Sequence, residues 1–69
     1  MINSELLKEK IKSKNLSLEY MANELNISVE ILNQKINGEC EFIIRELVKI
    51  NNILDLTSKE MENIFSYDK

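Results

Sequence analysis

The sequence predicts a single compact all-α domain, and three observations support this prediction. The chain of 69 residues has no Pro and only one Gly, whereas turn-rich β folds use both often. It is rich in Leu, Ile, Glu, Lys and Met, which favour helices. A chain of this length buries only about 60% of its unfolded surface, so it has material for one core. We therefore expect one helical domain over residues 1–69.

Cysteine and histidine content narrows the chemistry that the chain can perform. Cys40 is its only cysteine and it has no His, so an internal disulfide is excluded and the usual zinc-binding spacings are missing. The lack of His also removes most nucleophile–base pairs of catalysis. We expect no enzymatic activity, no metal and no other cofactor, and we interpret Cys40 as a small loop residue.

No segment resembles a membrane span or a secretion signal. Apolar runs are short, with Phe42–Ile44 among the longest, and no basic start is joined to an apolar stretch. We expect a cytoplasmic protein with no membrane partner.

The charge is unevenly distributed along the chain. The net charge is −3, and the first 38 residues are neutral, with five cations and five anions. The remaining residues carry four cations and seven anions. DNA-binding proteins usually have a basic excess, so the overall charge argues mildly against DNA, while the neutral, Lys-rich N-terminal part softens that objection.

Apolar residues at helical spacing predict the first helix over about 4–14, with Asn3 or Ser4 as its N-cap. Asn15 then fits a turn, because Asn tolerates the left-handed conformation that often ends a helix.

Two short helices follow, over 17–25 and 28–36. Ser17 and Ser28 are their N-caps, and Asn37–Gly38 ends the second of them. Two short helices with a three-residue link form a helix-turn-helix arrangement.

The fourth helix, predicted over 43–54, is the most apolar segment. Its stripe at positions i, i+4, i+7 and i+11 is Ile43, Leu47, Ile50 and Leu54, widened by Ile44, Val48 and Ile53. A fifth helix over 58–66 follows Thr57 and Glu60, which have capping-box spacing.

Apolar residues of the last two helices outnumber what one core face requires. We interpret the surplus as a homodimer interface, and ordinary core packing is the alternative. The proposed interface residues are Ile44, Val48, Phe65 and Tyr67.

From Leu16 to Gly38 the chain reads LSLEYMANELNISVEILNQKING. This segment resembles the phage-repressor-like, Cro-type helix-turn-helix family, also called the xenobiotic-response-element type. The resemblance covers about nine-tenths of the chain and rests on the order and spacing of several elements. The matching residues within the segment are Leu16, Ser17, Ala22, Ile27, Ser28, Leu32, Lys35, Ile36, Asn37 and Gly38.

Helical geometry predicts which side of the third helix faces outward. At about 100° per residue, Ile31, Leu32 and Ile36 fall on one side, and a polar set falls on the other. The polar set is Glu30, Asn33, Gln34 and Asn37.

The resemblance implies a lambda-repressor-like domain that regulates transcription as a homodimer on double-stranded DNA. Family members insert the third helix into the major groove, and two copies reach successive grooves about 34 Å apart. The implied base contacts are Ser28, Val29, Glu30, Asn33 and Gln34. The implied phosphate contacts are Lys35, Asn37, Lys12 and Lys14.

The sequence departs from the family pattern at several surface positions. Leu18 replaces a Gln that usually contacts the DNA backbone, Asn26 replaces a Gly in the turn, and Val29 replaces a cation. The polar side of the third helix is also what any solvated helix shows. The alternative function is a helix-turn-helix fold that binds a protein, as an antirepressor, a partner of a regulator or a phage inhibitor of a host protein.

Overall fold

Five α-helices occupy most of residues 2–65, the part of the chain that this computed structural model describes. They are α1 (Ser4–Ser13), α2 (Leu18–Leu25), α3 (Val29–Ile36), α4 (Ile44–Leu54) and α5 (Ser58–Phe65). No strand occurs in this part. The all-helical architecture with five helices is confirmed. The ends lie within one residue of the predicted ranges, except that predicted position 66 of the last helix lies outside the described residues.

Side-chain caps begin four of the helices at the predicted residues. The side-chain oxygens of Asn3, Ser17 and Ser28 each accept the N–H three residues further along, at 3.0–3.1 Å. At α5 the capping box is reciprocal: Thr57 N–H donates to Glu60 at 2.9 Å, and Glu60 N–H donates to Thr57 Oγ1 at 3.1 Å. Each cap satisfies an N–H that the helix itself leaves without a partner.

Left-handed residues end several helices. Asn15, Asn26 and Asp55 have φ values of 61°, 62° and 54°, and Gly38 has φ 88°. Asn and Asp tolerate this conformation better than other residues with a side chain, because their short polar groups can bond locally. These residues turn the chain sharply, so α2 packs directly against α3 and α4, and α1 packs against α5.

One apolar core joins all five helices. The radius of gyration is 10.9 Å, close to the roughly 11 Å expected of a compact chain of this length. The small Ala22 is only 2% exposed on α2, where a larger side chain would hold the neighbouring helices apart. The buried apolar residues are Leu7, Ile11, Met21, Ala22, Leu25, Leu32, Ile36, Ile50, Leu54, Leu56, Ile64 and Phe65.

Helix α4 has a different inward side from the predicted stripe. Ile50 and Leu54 are buried as predicted, but Ile43 is 49% exposed, and Glu46 occupies an inward position at 7% exposure. The positions of Glu46, Ile50 and Leu54 are spaced i, i+4 and i+8, so this side is rotated at the start of the helix. The spacing of apolar residues did not predict this rotation, because the inward residue Glu46 is charged and is buried together with its partner, Lys35.

Candidate nucleic-acid interface

The link between α2 and α3 sets the position of α3. Asn26 adopts the left-handed conformation, and Ile27 N–H donates to the Ala22 carbonyl at 3.0 Å. Ser28 then returns to an extended conformation and caps α3. Three residues therefore join the two helices, and α3 packs against α2.

The predicted base-contacting residues of α3 differ in exposure. Glu30 and Gln34 are exposed and four residues apart, so they lie on one side of the helix. Val29 is half-buried and packs against the core, and Asn33 is also half-buried. Ser28 is exposed, but its hydroxyl oxygen already accepts the N–H that it caps. Glu30 and Gln34 are thus the best-presented members of the predicted set.

Ile31 does not lie on the inward side to which helical geometry assigned it. It is 38% exposed and stands next to Glu30 on the outer surface of α3. The inward side of this two-turn helix is narrow, because Leu32 and Ile36, at 2% and 0% exposure, fill the space against the core. The outer side of α3 therefore combines polar groups with one aliphatic side chain.

Gln34 contacts the loop that follows α3. Its carbonyl oxygen accepts the Glu39 N–H at 2.8 Å, and its side-chain Oε1 lies 3.7 Å from the Cys40 thiol, which donates to it. The thiol occupies one of the two lone pairs of Oε1, and the second lone pair and the NH₂ group of Gln34 have no partner among the described residues. Sequence reasoning did not find this role of Cys40, and no sequence pattern signals it.

Lys35 lies in an ion pair that the sequence analysis did not predict. Its ammonium is 2.6 and 2.8 Å from the two carboxylate oxygens of Glu46, and the two side chains are 12% and 8% exposed. The ammonium also lies 5.9 Å from the centre of the Phe42 ring, and Glu46 accepts the Ile43 N–H at 3.0 Å. The predicted phosphate contact of Lys35 conflicts with this arrangement, because the ammonium would have to leave a buried carboxylate.

The charged side chains on α2 and α3 are mostly acidic. The two helices carry Glu19, Glu24 and Glu30, and their only cation, Lys35, is paired with Glu46. Three other predicted phosphate contacts are exposed, and the two cations among them form no ion pair with a described residue: Lys12, Lys14 and Asn37. Two of these three stand at the end of α1, so the positive charge among the predicted phosphate contacts lies off α3.

The predicted dimer residues separate into three groups. Ile44 and Val48 are 77% and 54% exposed, as an interface requires. Phe65 is 3% exposed and meets Phe42 edge-to-face, with ring centres 5.7 Å apart, so the monomer core already uses it. Its assignment to the interface is therefore corrected. Tyr67 lies outside the described residues.

Within residues 2–65, no group of three or more His, Cys, Asp or Glu side chains is placed to hold a metal ion. None of the helices in this part has the length and apolar content needed to cross a membrane.

Comparisons with protein-family models, with curated proteins and with solved structures give no match to this chain.

Proposed function

We propose that this chain is a sequence-specific DNA-binding regulator of transcription, with α2 and α3 as a helix-turn-helix and α3 as the helix that reads the major groove. The observation that carries the proposal is the outer side of α3. Glu30 and Gln34 are exposed there, on a short helix whose opposite side is fully buried. A rigidly held helix with projecting hydrogen-bonding groups is what direct base reading requires.

The dimensions of α3 fit this role. With its side chains an α-helix is about 10–12 Å across, which the roughly 12 Å wide major groove of B-DNA admits. Glu30 and Gln34 are separated by about 6 Å along the axis, or roughly two base steps. The Gln34 amide is suited to adenine, and the Glu30 carboxylate is suited to the amino group of cytosine.

Phosphate contacts fall to Lys12, Lys14 and Asn37, since Lys35 is paired with Glu46. With only two unpaired cations in this set, the logarithm of the binding constant should fall with the logarithm of salt concentration with a slope of about −2 per copy. A single copy then binds weakly. Two copies on adjacent half-sites, with their α3 helices about 34 Å apart, double the contacts, so we propose that the homodimer forms on the operator.

A salt titration tests the proposal. Fluorescence anisotropy with labelled random and genomic DNA fragments should show binding at low salt that weakens with the shallow slope given above. No binding even at low salt would overturn the proposal, because non-specific attraction is strongest there.

Alanine substitutions on α3 test the reading residues in the same assay. Gln34→Ala and Asn33→Ala should reduce the preference for the best genomic fragment over random DNA by about 1–3 kcal/mol. Asn52→Ala, at an exposed position of α4, is the matched control and should leave the preference unchanged. Equal loss on all fragments would remove these residues from the reading set.

A second candidate function is protein binding by the same α2–α3 unit. It is favoured by the Lys35–Glu46 ion pair, which leaves three carboxylates and no unpaired cation on α2 and α3. Such a surface repels phosphates and suits a basic partner. Absence of DNA binding at low salt, with the fold intact by circular dichroism, would favour this candidate over the first.

A further inference from the structure

Helix α4 presents an apolar surface to solvent beside two cations. We use the name α4 outer face for Ile44, Arg45, Val48 and Lys49. Ile44 and Val48 are 77% and 54% exposed, and being four residues apart they lie one above the other on the helix. Ile43, 49% exposed, extends this surface at the start of the helix.

The two cations of the α4 outer face have no partner among the described residues. Arg45 and Lys49 are exposed, and neither forms a hydrogen bond or ion pair there. Arg45 and Lys49 line a cleft of about 310 Å³. Glu24 lines this cleft too, but its carboxylate does not come within ion-pair distance of either cation. The chain as a whole has a net charge of −3, but neither of these two cations is neutralised by a described residue.

We propose that the α4 outer face docks an acidic amphipathic helix of a partner protein. Leu-like residues at i and i+4 of that helix would cover Ile44 and Val48, and flanking carboxylates would reach Arg45 and Lys49. Helices that dock in this way combine apolar anchors with charges that set orientation. The proposal goes beyond DNA reading by α3 and does not depend on it, and it assigns Ile44 and Val48 to a partner helix in place of the homodimer interface expected from the sequence.

Charge and area argue for this occupant over a second copy of the chain. A symmetric antiparallel pairing of α4 with its copy brings Arg45 and Lys49 close to their own counterparts, and like charges across an interface are unfavourable. A standard interface buries about 800 Å² per partner, or about a sixth of the 4884 Å² surface of this protein. Three exposed apolar side chains are few for such an area, but they suffice for one docked helix.

Nucleic acid fits the α4 outer face less well than an acidic helix does. Phosphates would pair with Arg45 and Lys49, but Ile44 and Val48 would gain nothing from a charged backbone. A protein helix covers both kinds of group at once.

Two synthetic helical peptides test the proposal with the full chain. Each has about 18 residues, above the length at which isolated helices are marginal, with Leu at i, i+4 and i+7; one has Glu at the flanking positions and the other has Lys. Fluorescence anisotropy should show binding of the Glu peptide only, and ¹⁵N amide shifts should map it to α4. Equal binding of both peptides, binding of neither, or shifts confined to α3 would overturn the proposal.

Substitutions on α4 sharpen the test. Ile44→Ser should weaken binding of the Glu peptide roughly tenfold or more, because the anchor loses its apolar contact. Arg45→Glu and Lys49→Glu should abolish binding at low salt, whereas Lys59→Glu, an exposed position on α5, is the matched charge control and should change it little. Because Ile44 is largely exposed, Ile44→Ser should keep the thermal unfolding of the parent protein, which circular dichroism checks.

A second copy of the chain or nucleic acid bound to the α4 outer face would each give a distinct result, and either result would overturn the proposal. A dimer in analytical ultracentrifugation that Ile44→Ser dissociates would assign the face to a second copy. DNA affinity lowered by Arg45→Glu but unaffected by Ile44→Ser would assign it to nucleic acid.

Discussion

Two ion pairs connect distant parts of this protein, and they differ in burial more than in geometry. Lys10 of α1 meets Glu60 of α5 at 2.5 Å, and Lys35 of α3 meets Glu46 of α4 at 2.6 Å. The side chains of the first pair are 31% and 33% exposed, and those of the second are 12% and 8% exposed. The same chemistry therefore operates at a partly exposed position between α1 and α5 and in the protein interior between α3 and α4.

Burial changes what each ion pair does. Water and salt screen the Lys10–Glu60 pair, so it contributes little to stability. The Lys35–Glu46 pair has lost most of its water, and each charge depends on the other and on neighbouring groups. The buried pair therefore specifies how α3 sits against α4, and it withdraws from the surface the one cation that α3 carries.

The largest expected effect comes from breaking the buried pair. Lys35→Ala leaves the Glu46 carboxylate buried without its ammonium, which should lower the free energy of unfolding by about 3 kcal/mol. Urea unfolding followed by circular dichroism measures it. The double variant Lys35→Met with Glu46→Leu is the control, and it should recover most of the loss because apolar groups replace both charges. A loss below about 1 kcal/mol would show that the pair is solvated, and it would return Lys35 to the set of phosphate contacts.

An intermediate loss of unfolding free energy should come from removing the helix caps of α3 and α5. Ser28→Ala at α3 and Thr57→Ala at α5 each remove a hydroxyl that accepts a helix N–H, which typically costs about 1 kcal/mol. Equal losses of unfolding free energy, measured with urea, would show that the caps of α3 and α5 contribute alike. The two ion pairs would then differ in their contribution through burial alone. A much larger loss for Ser28→Ala would mean that α3 depends on its cap as well as on Lys35.

The smallest effect should come from the exposed pair. The ammonium of Lys10, and then the N–H of Thr57, hold the pKa of Glu60 below its ordinary value of 4.5. A lowered carboxylate pKa adds stability that is fully present above pH 4.5 and is lost as the pH falls through the lower folded-state value. Glu60→Gln keeps an oxygen for Thr57 but removes the charge, so its melting temperature should lie slightly below that of the parent at neutral pH.

Acid and salt should both remove this small difference in melting temperature. The two proteins should converge as the pH falls well below 4.5, and they should also converge at neutral pH in high salt. A difference that persists in high salt would mean that the Lys10–Glu60 pair is less exposed than its geometry indicates.

The comparison also shows which features of the candidate site could be predicted from the sequence and which could not. Ser28 was identified because a cap depends on the residue itself and its close neighbours, whereas Asn26 was identified through the resemblance, as the residue that replaces a Gly in the turn. The partners of Lys35 and Gln34 were missed because they lie on α4 and in the loop after α3. Those contacts exist only once the helices have packed.

The sequence by itself determined the number of helices, their ends and the inward position of Leu32 and Ile36 on α3. These features follow from local rules: helix propensity, capping and the 3.6-residue period. Only the tertiary structure decided which side of α4 faces inward, with Glu46 inside and Ile43 and Ile44 outside. The physical reason is that α4 has apolar residues around more than half of its circumference, so its rotation is set by what it packs against. The buried partner of Glu46 comes from α3, a helix that the pattern within α4 cannot include.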